Sequence, residues 1–232
     1  MFSIKKYLKW HYTNDTQLWH LAAYIYNMIN LNKIKTSGKN NKIISTGSLM
    51  HKVSLTIAGD NNTIILNSGS FLKNVRILIR GSNHKLLIGR FCSFKGELLF
   101  EDNDCLILIG DNTTSEGTHI AVTEPHSRIE IGCDCMFAQD IQIRTGDSHS
   151  IIDTTDNKRI NYAKNVIIDD HVWIGSGAKI LKGTTIGANS IIATASIVTK
   201  QIPPNVIAGG APAEVIRNNV TWDRKRTYSN NL

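Results

Sequence analysis

The fold is decided by residues 168–198, which read IDDHVW IGSGAK ILKGTT IGANSI IATASI V. Aliphatic residues recur there at every sixth position: Ile168, Ile174, Ile180, Ile186, Ile192 and Val198. Smaller residues form a second series, four places into successive hexads: Ala178, Thr184, Ser190 and Ser196. A period of six fits neither the alternation of a β-strand nor the 3.6-residue repeat of an α-helix. It fits a triangular solenoid, in which three short strands and three turns form one coil and the aliphatic residues stack inside.

A looser repeat precedes this stretch. Polar blocks begin at intervals of 21, 22, 21, 22 and 21 residues, at Thr36, Ile57, Ile79, Phe100, Val122 and Ile143. Their Gly, Asn and Asp residues suit backbone conformations with positive φ, which a tight corner requires. We therefore expect one elongated all-β domain over 36–205, with wide coils first and regular coils last. Residues 206–232, which follow Pro203 and Pro204, are expected to form a short terminal element and a basic tail.

Residues 1–35 differ from the repeats and predict a helical segment. Apolar residues recur at helical spacing from about Thr16, and Asn14 or Asp15 is available as the N-cap. The series comprises Leu18, Ala22, Ile25, Tyr26 and Ile29. Two interpretations remain open. The helix closes the open end of the solenoid, or it lies on a membrane surface, which Trp10, Trp19 and the lysines near the start would favour.

The charge of the chain limits its partners. The net charge is +7 and the pI is near 9.2, which indicates either an anionic ligand or a solvated basic surface. Basic residues cluster near both ends of the chain, at Lys5, Lys6, Lys9, Arg224, Lys225 and Arg226. We do not expect nucleic acid as a partner, because no recognition motif accompanies these charges.

Targeting signals and cysteine usage favour a cytoplasmic protein. The first nine residues are followed by polar residues rather than an apolar core segment, so no signal peptide is expected. No apolar run reaches the roughly 18 residues needed to span a bilayer. The four cysteines, Cys92, Cys105, Cys133 and Cys135, form no CxxC pair and have no zinc spacing, so we expect them to be reduced.

One polar corner carries a candidate catalytic histidine. The segment 144–151 contains Asp147 and His149 and directly precedes residues 153–165, a polar stretch that interrupts the repeat and predicts a loop. An imidazole with an ordinary pKa near 6.5 is suited to accept a hydroxyl proton at neutral pH, and Asp147 is close enough in sequence to orient it. A lone corner histidine is commonly a surface residue, and both readings fit these residues.

A resemblance to a known family decides between these readings. The tetrad Val172-Trp173-Ile174-Gly175 follows this corner, with Trp173 placed 24 residues after His149, and residues 209–217 read GGAPAEVIR. With the hexads, these motifs resemble the hexapeptide-repeat acyltransferases, especially their sugar O-acetyltransferases. The match is good over 140–217, loose over 36–139 and absent from the N-terminal helix. It implies a left-handed parallel β-helix, a hand opposite to the usual crossover preference and taken here from the resemblance alone.

The resemblance also implies a set of site residues. His149 corresponds to the general base, and Trp173 to a residue beside the acyl-donor channel and the acceptor. Ser176 corresponds to the position whose backbone N–H faces the thioester oxygen, a contribution typically worth about 3–4 kcal/mol. Residues corresponding to contacts with coenzyme A are Thr194, Thr199, Lys200 and Arg217. Glu214 departs from the family, since many relatives carry a second arginine there, and this predicts weaker phosphate binding.

A metal site is not expected. The spacing of His126, His149 and His171 places them about one coil apart, which could suggest shared ligation of zinc. Coils lie about 4.8 Å apart, so three such ligands would span about 9.6 Å. A single zinc ion binds its ligands at about 2 Å and cannot reach all three.

These observations lead to a functional expectation with two alternatives. The resemblance implies an acetyl-CoA-dependent O-acetyltransferase, acting directly in a ternary complex on a sugar hydroxyl of a bacterial surface polysaccharide (capsule or O-antigen) or its precursor. It also implies a homotrimer with active sites between subunits, and the 153–165 loop is our candidate for reaching the neighbour. The alternatives are an N-acetyltransferase for a nucleotide-linked amino sugar and a non-catalytic β-helix scaffold.

Overall fold

The described residues form a parallel β-solenoid of about eight turns preceded by a helix, which confirms the predicted architecture. The structure, a computed structural model, describes Tyr12 and residues 14–228. Helix α1 spans Gln17–Ile29. The strands within the described residues are β1 Lys33–Ser37, β2 Lys42–Ser45, β3 Leu49–His51, β4 Ser54–Ala58, β5 Thr63–Leu66, β6 Phe71–Arg80, β7 Lys85–Ile88, β8 Ser93–Phe100, β9 Leu106–Ile109, β10 Thr114–Val122, β11 Arg128–Ile131, β12 Met136–Phe137, β13 Ile141–Arg144, β14 Val166–Ile168, β15 Trp173–Ile174, β16 Lys179–Ile180, β17 Thr185–Ile186, β18 Ile191–Ile192, β19 Ile197–Val198, β20 Val206–Gly210 and β21 Ala213–Asn218.

The strands form three faces. Face A contains β3, the first halves of β6, β8 and β10, then β12, β15, β18 and β20. Face B contains β1, β4, the second halves of β6, β8 and β10, then β13, β16 and β19. Face C contains β2, β5, β7, β9, β11, β14 and β17. In the wide coils a single long strand covers faces A and B and shifts register where they meet. All pairs along each face are parallel, so side chains one coil apart lie above one another.

The hexad residues occupy the interior as predicted. The six aliphatic residues from Ile168 to Val198 are fully buried, and so are the four smaller residues. The buried hydroxyls bond to nearby turn carbonyls: Thr184 Oγ1 to Leu181 O, Ser190 Oγ to Pro203 O and Ser196 Oγ to Ala193 O. Small residues at these positions therefore leave room for the chain to turn and satisfy polar groups that burial would otherwise leave unpaired.

Helix α1 packs against the first coil, as one of the two interpretations predicts. Trp19 Nε1 donates to Gly47 O at 2.8 Å and Asn27 Nδ2 to Ser48 O at 2.9 Å, and Ala23 is the buried residue of the helix. The expected N-cap is wrong: Thr16 holds that position, and its hydroxyl accepts from the Trp19 N–H at 3.3 Å. Trp10 and the lysines before it lie outside the described residues. No helix among the described residues has the length and apolar character needed to cross a bilayer.

The C-terminal region adds two features to the solenoid. Strand β20 extends face A in parallel with β18, and β21 returns antiparallel to it. Residues 219–228, here called the C-terminal strap, then run back along the solenoid toward earlier coils. Arg224 in this strap reaches Asn112 O, more than a hundred residues earlier in the chain.

A column of hydrogen bonds at one corner includes a buried histidine. Asn41 Oδ1 accepts from the Asn62 N–H, Asn62 Oδ1 from the His84 N–H, and His84 Nδ1 from the Cys105 N–H. His84 therefore takes the place of an asparagine in this ladder and carries its ring proton on Nε2, which donates to Arg80 O at 3.0 Å. Burial lowers the pKa of His84, because a charged ring would be desolvated there.

We expect His84 to make the solenoid acid-sensitive. In the unfolded chain His84 binds a proton near pH 6.5, whereas in the folded chain its pKa is lower. Stability therefore falls as pH drops below about 6.5. His84→Asn can keep the bond to Cys105 and should abolish this loss. His84→Leu leaves the Cys105 N–H unpaired and should cost about 1–3 kcal/mol at all pH values. Thermal unfolding at several pH values between about 7.5 and 5.5 tests this, and equal pH dependence of the wild type and His84→Asn would contradict it.

Candidate active site

His149 lies at the corner between faces B and C, directly after β13. Its neighbour Ser148 has a φ of +66°, which turns the chain outward, and the His149 side chain is exposed. No described residue forms a hydrogen bond with its ring, so the imidazole is free to meet a substrate. It borders a cavity of about 420 Å³ lined by Arg80, Glu101, Asp102, Thr123, Glu124, Ser148, His149, Ser150 and Arg159.

Asp147 supports the backbone of this corner rather than the imidazole of His149. Its carboxylate accepts from the Lys182 ammonium and, at 2.8 Å, from Asn161 Nδ2. The amide of Asn161 also donates to the His149 carbonyl at 2.8 Å and accepts from the Ile151 N–H at 2.7 Å. The hydrogen bond from Lys182 holds the pKa of Asp147 below its usual range. The sequence offered no signal for Asn161 or Lys182 because both approach this corner only through the fold.

The segment after His149 forms a hairpin. Ile152 and Arg159 pair in antiparallel fashion, and the Ile160 N–H donates to Ile151 O at 2.9 Å. Arg159 ties this hairpin to the preceding coil through hydrogen bonds from both terminal nitrogens to Glu124. Partial burial opposes the ionisation of Glu124, but the Arg159 guanidinium still holds its pKa below the ordinary value. The loop arginine is therefore occupied by an internal ion pair.

Trp173 lies on a different part of the coil from His149. It begins the face A strand β15, points outward with 38% of its surface exposed, and aligns with Met136 and Ile191 on the neighbouring coils. No described contact joins Trp173 to His149. The fold thus places Trp173 on face A and His149 at the corner between faces B and C.

Ser176 lies at the corner between faces A and B. Its hydroxyl donates to Gln139 O at 3.0 Å, and its carbonyl accepts from the Ala195 N–H at 2.8 Å. Among the described residues, none accepts from the Ser176 N–H, which leaves this donor available to a ligand. Thr194 follows at the same corner one coil later and is exposed.

Thr199 and Lys200 lie at the corner between faces B and C, after β19. Both are exposed, and the Lys200 ammonium forms an ion pair with Glu214 at 2.6 Å. Arg217, on β21, is exposed and has no ion-pair partner among the described residues. Glu214 therefore engages the lysine that the resemblance predicts to bind phosphate.

The C-terminal strap packs beside Trp173, a feature that the sequence did not reveal. Trp222 stacks on His171 with ring centroids 4.2 Å apart and lies 6.2 Å from Trp173. Its indole donates to His171 O at 2.8 Å, and its side chain is only 8% exposed. Arg224 bonds to Asp134 and to three carbonyls of the wide coils. His171 is thus a structural partner of the strap. No cluster of residues that could bind a metal occurs in Tyr12 or 14–228.

The cysteines offer no activated nucleophile near His149. Burial raises the pKa of the Cys92 and Cys105 thiols to about 11 and that of Cys135 to about 12. Cys133 is exposed but lies at the corner between faces C and A. A thiolate is the reactive form of cysteine, so the three buried residues are inert structural groups.

Comparisons with known proteins agree along most of the chain. The family model "Bacterial transferase hexapeptide (six repeats)" matches residues 165–200. The polysialic acid O-acetyltransferase of Neisseria meningitidis is 34% identical over 194 residues, which cover 83% of this chain and 90% of that protein. The polysialic acid O-acetyltransferase of Escherichia coli O1:K1 / APEC is 38% identical over 118 residues, which cover 51% of this chain and 38% of that protein.

Solved structures agree with these sequence matches. The crystal structure of the polySia specific acetyltransferase NeuO superposes with a TM-score of 0.79 at 30% identity and covers 85% of this chain and 91% of that one. The structure of the polysialic acid O-acetyltransferase OatWY gives a TM-score of 0.67 at 33% identity and covers 84% of this chain and 93% of that one. The likeness therefore includes the wide coils, where the sequence repeat is loosest.

We expect Trp222→Ala to release the C-terminal strap without unfolding the solenoid, because the Trp222 ring is the buried anchor and what remains is mainly Arg224 and one backbone–backbone hydrogen bond, from Val220 to Asn205. Thermolysin should cleave the strap at least tenfold faster, and Trp173 fluorescence should become more accessible to iodide. Lys225→Ala is the matched control, since no described residue contacts its side chain. Cleavage of Trp222→Ala at the wild-type rate would show that Trp222 does not hold the strap.

Proposed function

Since this chain belongs to the hexapeptide-repeat acyltransferase family, whose fold is the left-handed parallel β-helix, we propose that it O-acetylates a bacterial surface polysaccharide, with acetyl-CoA as donor. The observation that carries this proposal is the similarity to a polysialic acid O-acetyltransferase over 83% of this chain and 90% of that protein. Polysialic acid is therefore the first acceptor to test. The reaction is placed in the cytoplasm, where acetyl-CoA is made and where reduced cysteines persist.

His149 acts as the general base in the proposed reaction. Its exposed imidazole takes the proton of a sugar hydroxyl as the oxygen attacks the acetyl carbonyl. The new C–O bond forms, the C–S bond breaks, and the imidazolium returns the proton to the departing thiolate of coenzyme A. Transfer is direct within a ternary complex, and the raised thiol pKa values of the buried cysteines support the absence of an acyl-enzyme. Asp147 contributes by fixing the backbone of His149 through Asn161.

The oxyanion is stabilised by a backbone donor. The Ser176 N–H has no acceptor among the described residues, and a fixed N–H directed at the thioester oxygen stabilises charge that develops during attack. Trp173, exposed on face A, provides a wall for the acyl-donor channel. Ser176 and Trp173 lie on corners or faces away from His149 in the same chain, so they cannot complete its site alone.

We therefore place the complete site between neighbouring copies in a homotrimer. His149 of one subunit would face Trp173 and Ser176 of the next, and three flat-sided solenoids can pack around one axis. The hairpin of residues 151–160 projects from the corner that carries His149 and is suited to reach the neighbour. Its ties to Glu124 and to the Asp147 region would hold it in a defined position.

Acceptor length tests the proposed function. We expect kcat/KM for acetyl transfer to rise from sialic acid monomer through short oligomers to polysialic acid, because a polymer can extend along the corner on both sides of the 420 Å³ cavity. The product should be labile to mild alkali, as an ester is and an amide is not. A preference for the monomer, or an alkali-stable product, would contradict the proposal.

His149→Ala should reduce turnover by about 10²–10⁴-fold, the usual range for loss of a general base, without changing the thermal midpoint. His126→Ala is the matched control, since His126 is an exposed corner residue one coil earlier.

The donor site gives a separate prediction. Lys200→Ala with Arg217→Ala should raise the KM for acetyl-CoA much more than that for the acceptor, because both cations face solvent near the proposed phosphate position. Glu214→Gln should lower this KM, since it frees the Lys200 ammonium from its ion pair. Titration calorimetry with coenzyme A at low and high salt measures both effects, because phosphate contacts weaken with ionic strength. Equal affinities in all variants would remove Lys200 and Arg217 from the donor site.

A further inference from the structure

The N-terminal end of the solenoid exposes an unusual number of apolar side chains. Helix α1 covers only part of the first coil and turns a second apolar face outward. Met28 and Ile29 are 69% and 73% exposed, although both belong to an ordered helix. The exposed apolar residues of α1, β1 and the segment between them are Leu18, Leu21, Tyr24, Ile25, Met28, Ile29, Leu31 and Ile34. We call α1, β1, β2 and their connections, residues 17–45, the N-terminal surface.

A cavity of about 400 Å³ opens between α1 and the first coil on this surface. Its apolar lining includes Ala23, Met28, Ile34 and Met50. Ile34 lies in the same inward column as the buried Leu55, and among the described residues no earlier coil covers it. The end of the solenoid therefore offers both an exposed apolar face and a recess into which an apolar chain could enter.

The whole net charge of the protein is carried by the first quarter of its sequence, which includes the first coil. Residues 1–58 contain eight lysines, no arginine and one acidic residue, Asp15, whereas residues 59–232 contain 18 basic and 18 acidic residues. Five of these lysines belong to the first coil or its edge: Lys33, Lys35, Lys39, Lys42 and Lys52. All five are exposed, and within the described residues none forms an ion pair. On the later coils, by contrast, many basic side chains are paired with acidic ones.

We propose that the N-terminal surface docks on an anionic lipid bilayer. Apolar side chains surrounded by lysines are the combination that binds a membrane interface, because the apolar face enters the headgroup region while the lysines meet anionic headgroups. An anionic polysaccharide would satisfy the lysines but leave the apolar face in water. A second copy of this surface would bring like charges together, and the segment before Tyr12 carries Lys5, Lys6 and Lys9, which have the same sign.

Docking in this way would set the position of the catalytic corner. Face B advances through β1, β4, β6, β8, β10 and β13, so His149 follows the first coil by five coils. At about 4.8 Å per coil, the corner lies about 24 Å above the first coil. An enzyme standing on its N-terminal end would meet a membrane-attached polymer at this distance from the bilayer.

Vesicle sedimentation with the full-length protein tests the proposal. Wild-type protein should bind phosphatidylcholine vesicles containing phosphatidylglycerol at least tenfold more tightly than pure phosphatidylcholine vesicles, and high salt should reduce this difference. Replacing Lys33, Lys35, Lys39, Lys42 and Lys52 by Gln should reduce binding at least tenfold. The triple change Ile25→Ser, Met28→Ser and Ile29→Ser should do the same without altering the circular dichroism spectrum.

A matched control separates position from total charge. It replaces Lys73, Lys85, Lys179, Lys225 and Arg226 by Gln, five exposed basic residues elsewhere on the solenoid, and should bind vesicles like the wild type. Acetylation of dissolved polymer should be unchanged in all three variants, so failure of docking is distinguishable from failure of the proposed activity.

Three results would overturn the proposal. The first is equal binding to both kinds of vesicle, or none. The second is a fall in molar mass by light scattering when the α1 residues are changed, which would show that another copy covers this face. In the third, the lysine variant no longer binds polysialic acid and the wild-type protein does not bind vesicles. This result would assign the lysines to the polymer.

Discussion

The structure depends on the parallel pairing of each strand with its equivalent one coil later. This pairing requires every corner to superpose on the next, so the backbone turns at the same places in each coil. Asn40, Asn61, Asn83 and Asp104 adopt positive φ at one such corner and form a chain of side-chain hydrogen bonds. At Gly81, a Cβ atom would lie 1.5 Å from Asp102 O on the next coil, so the close stacking excludes any side chain there.

A filled solenoid has no room for an internal active site, so any site on this fold must lie on its outer surface. The corner after β13 can expel a hairpin because Ile129 still pairs with Val166 when the chain returns, and the stack continues without interruption. Internal ion pairs then fix the hairpin and the backbone of His149 while leaving its imidazole free. The consequence is a corner in which hydrogen bonds hold the backbone of His149 while its imidazole stays exposed, an arrangement compatible with the proposed site between subunits.

The terminal coils at the two ends of the solenoid are covered by different elements and to different extents. At the C-terminal side, β21 pairs with the last strand of face A, and the strap returns to bury Trp222 against His171. At the N-terminal side, α1 covers the β3 region but leaves β1 exposed along its length. The concentration of lysines at the less protected end gives this asymmetry a physical role, because apolar atoms exposed beside unpaired positive charge suit an anionic lipid surface.

The sequence by itself determined the solenoid architecture, and it singled out His149 as the candidate base. A six-residue period can be recognised from short segments, because each aliphatic residue points inward within its own hexad. Each Gly, Asn or Asp at a corner likewise indicates positive φ at its own position. The resemblance also made Trp173, Ser176 and Lys200 candidates, and their roles remain predictions. Only the tertiary structure decided what these residues contact: Asp147 meets Lys182 and Asn161, Lys200 meets Glu214, and Trp222 meets His171. Such contacts join residues whose side chains lie outside the repeat, where no periodic constraint links sequence to position, so they emerge only when coils stack.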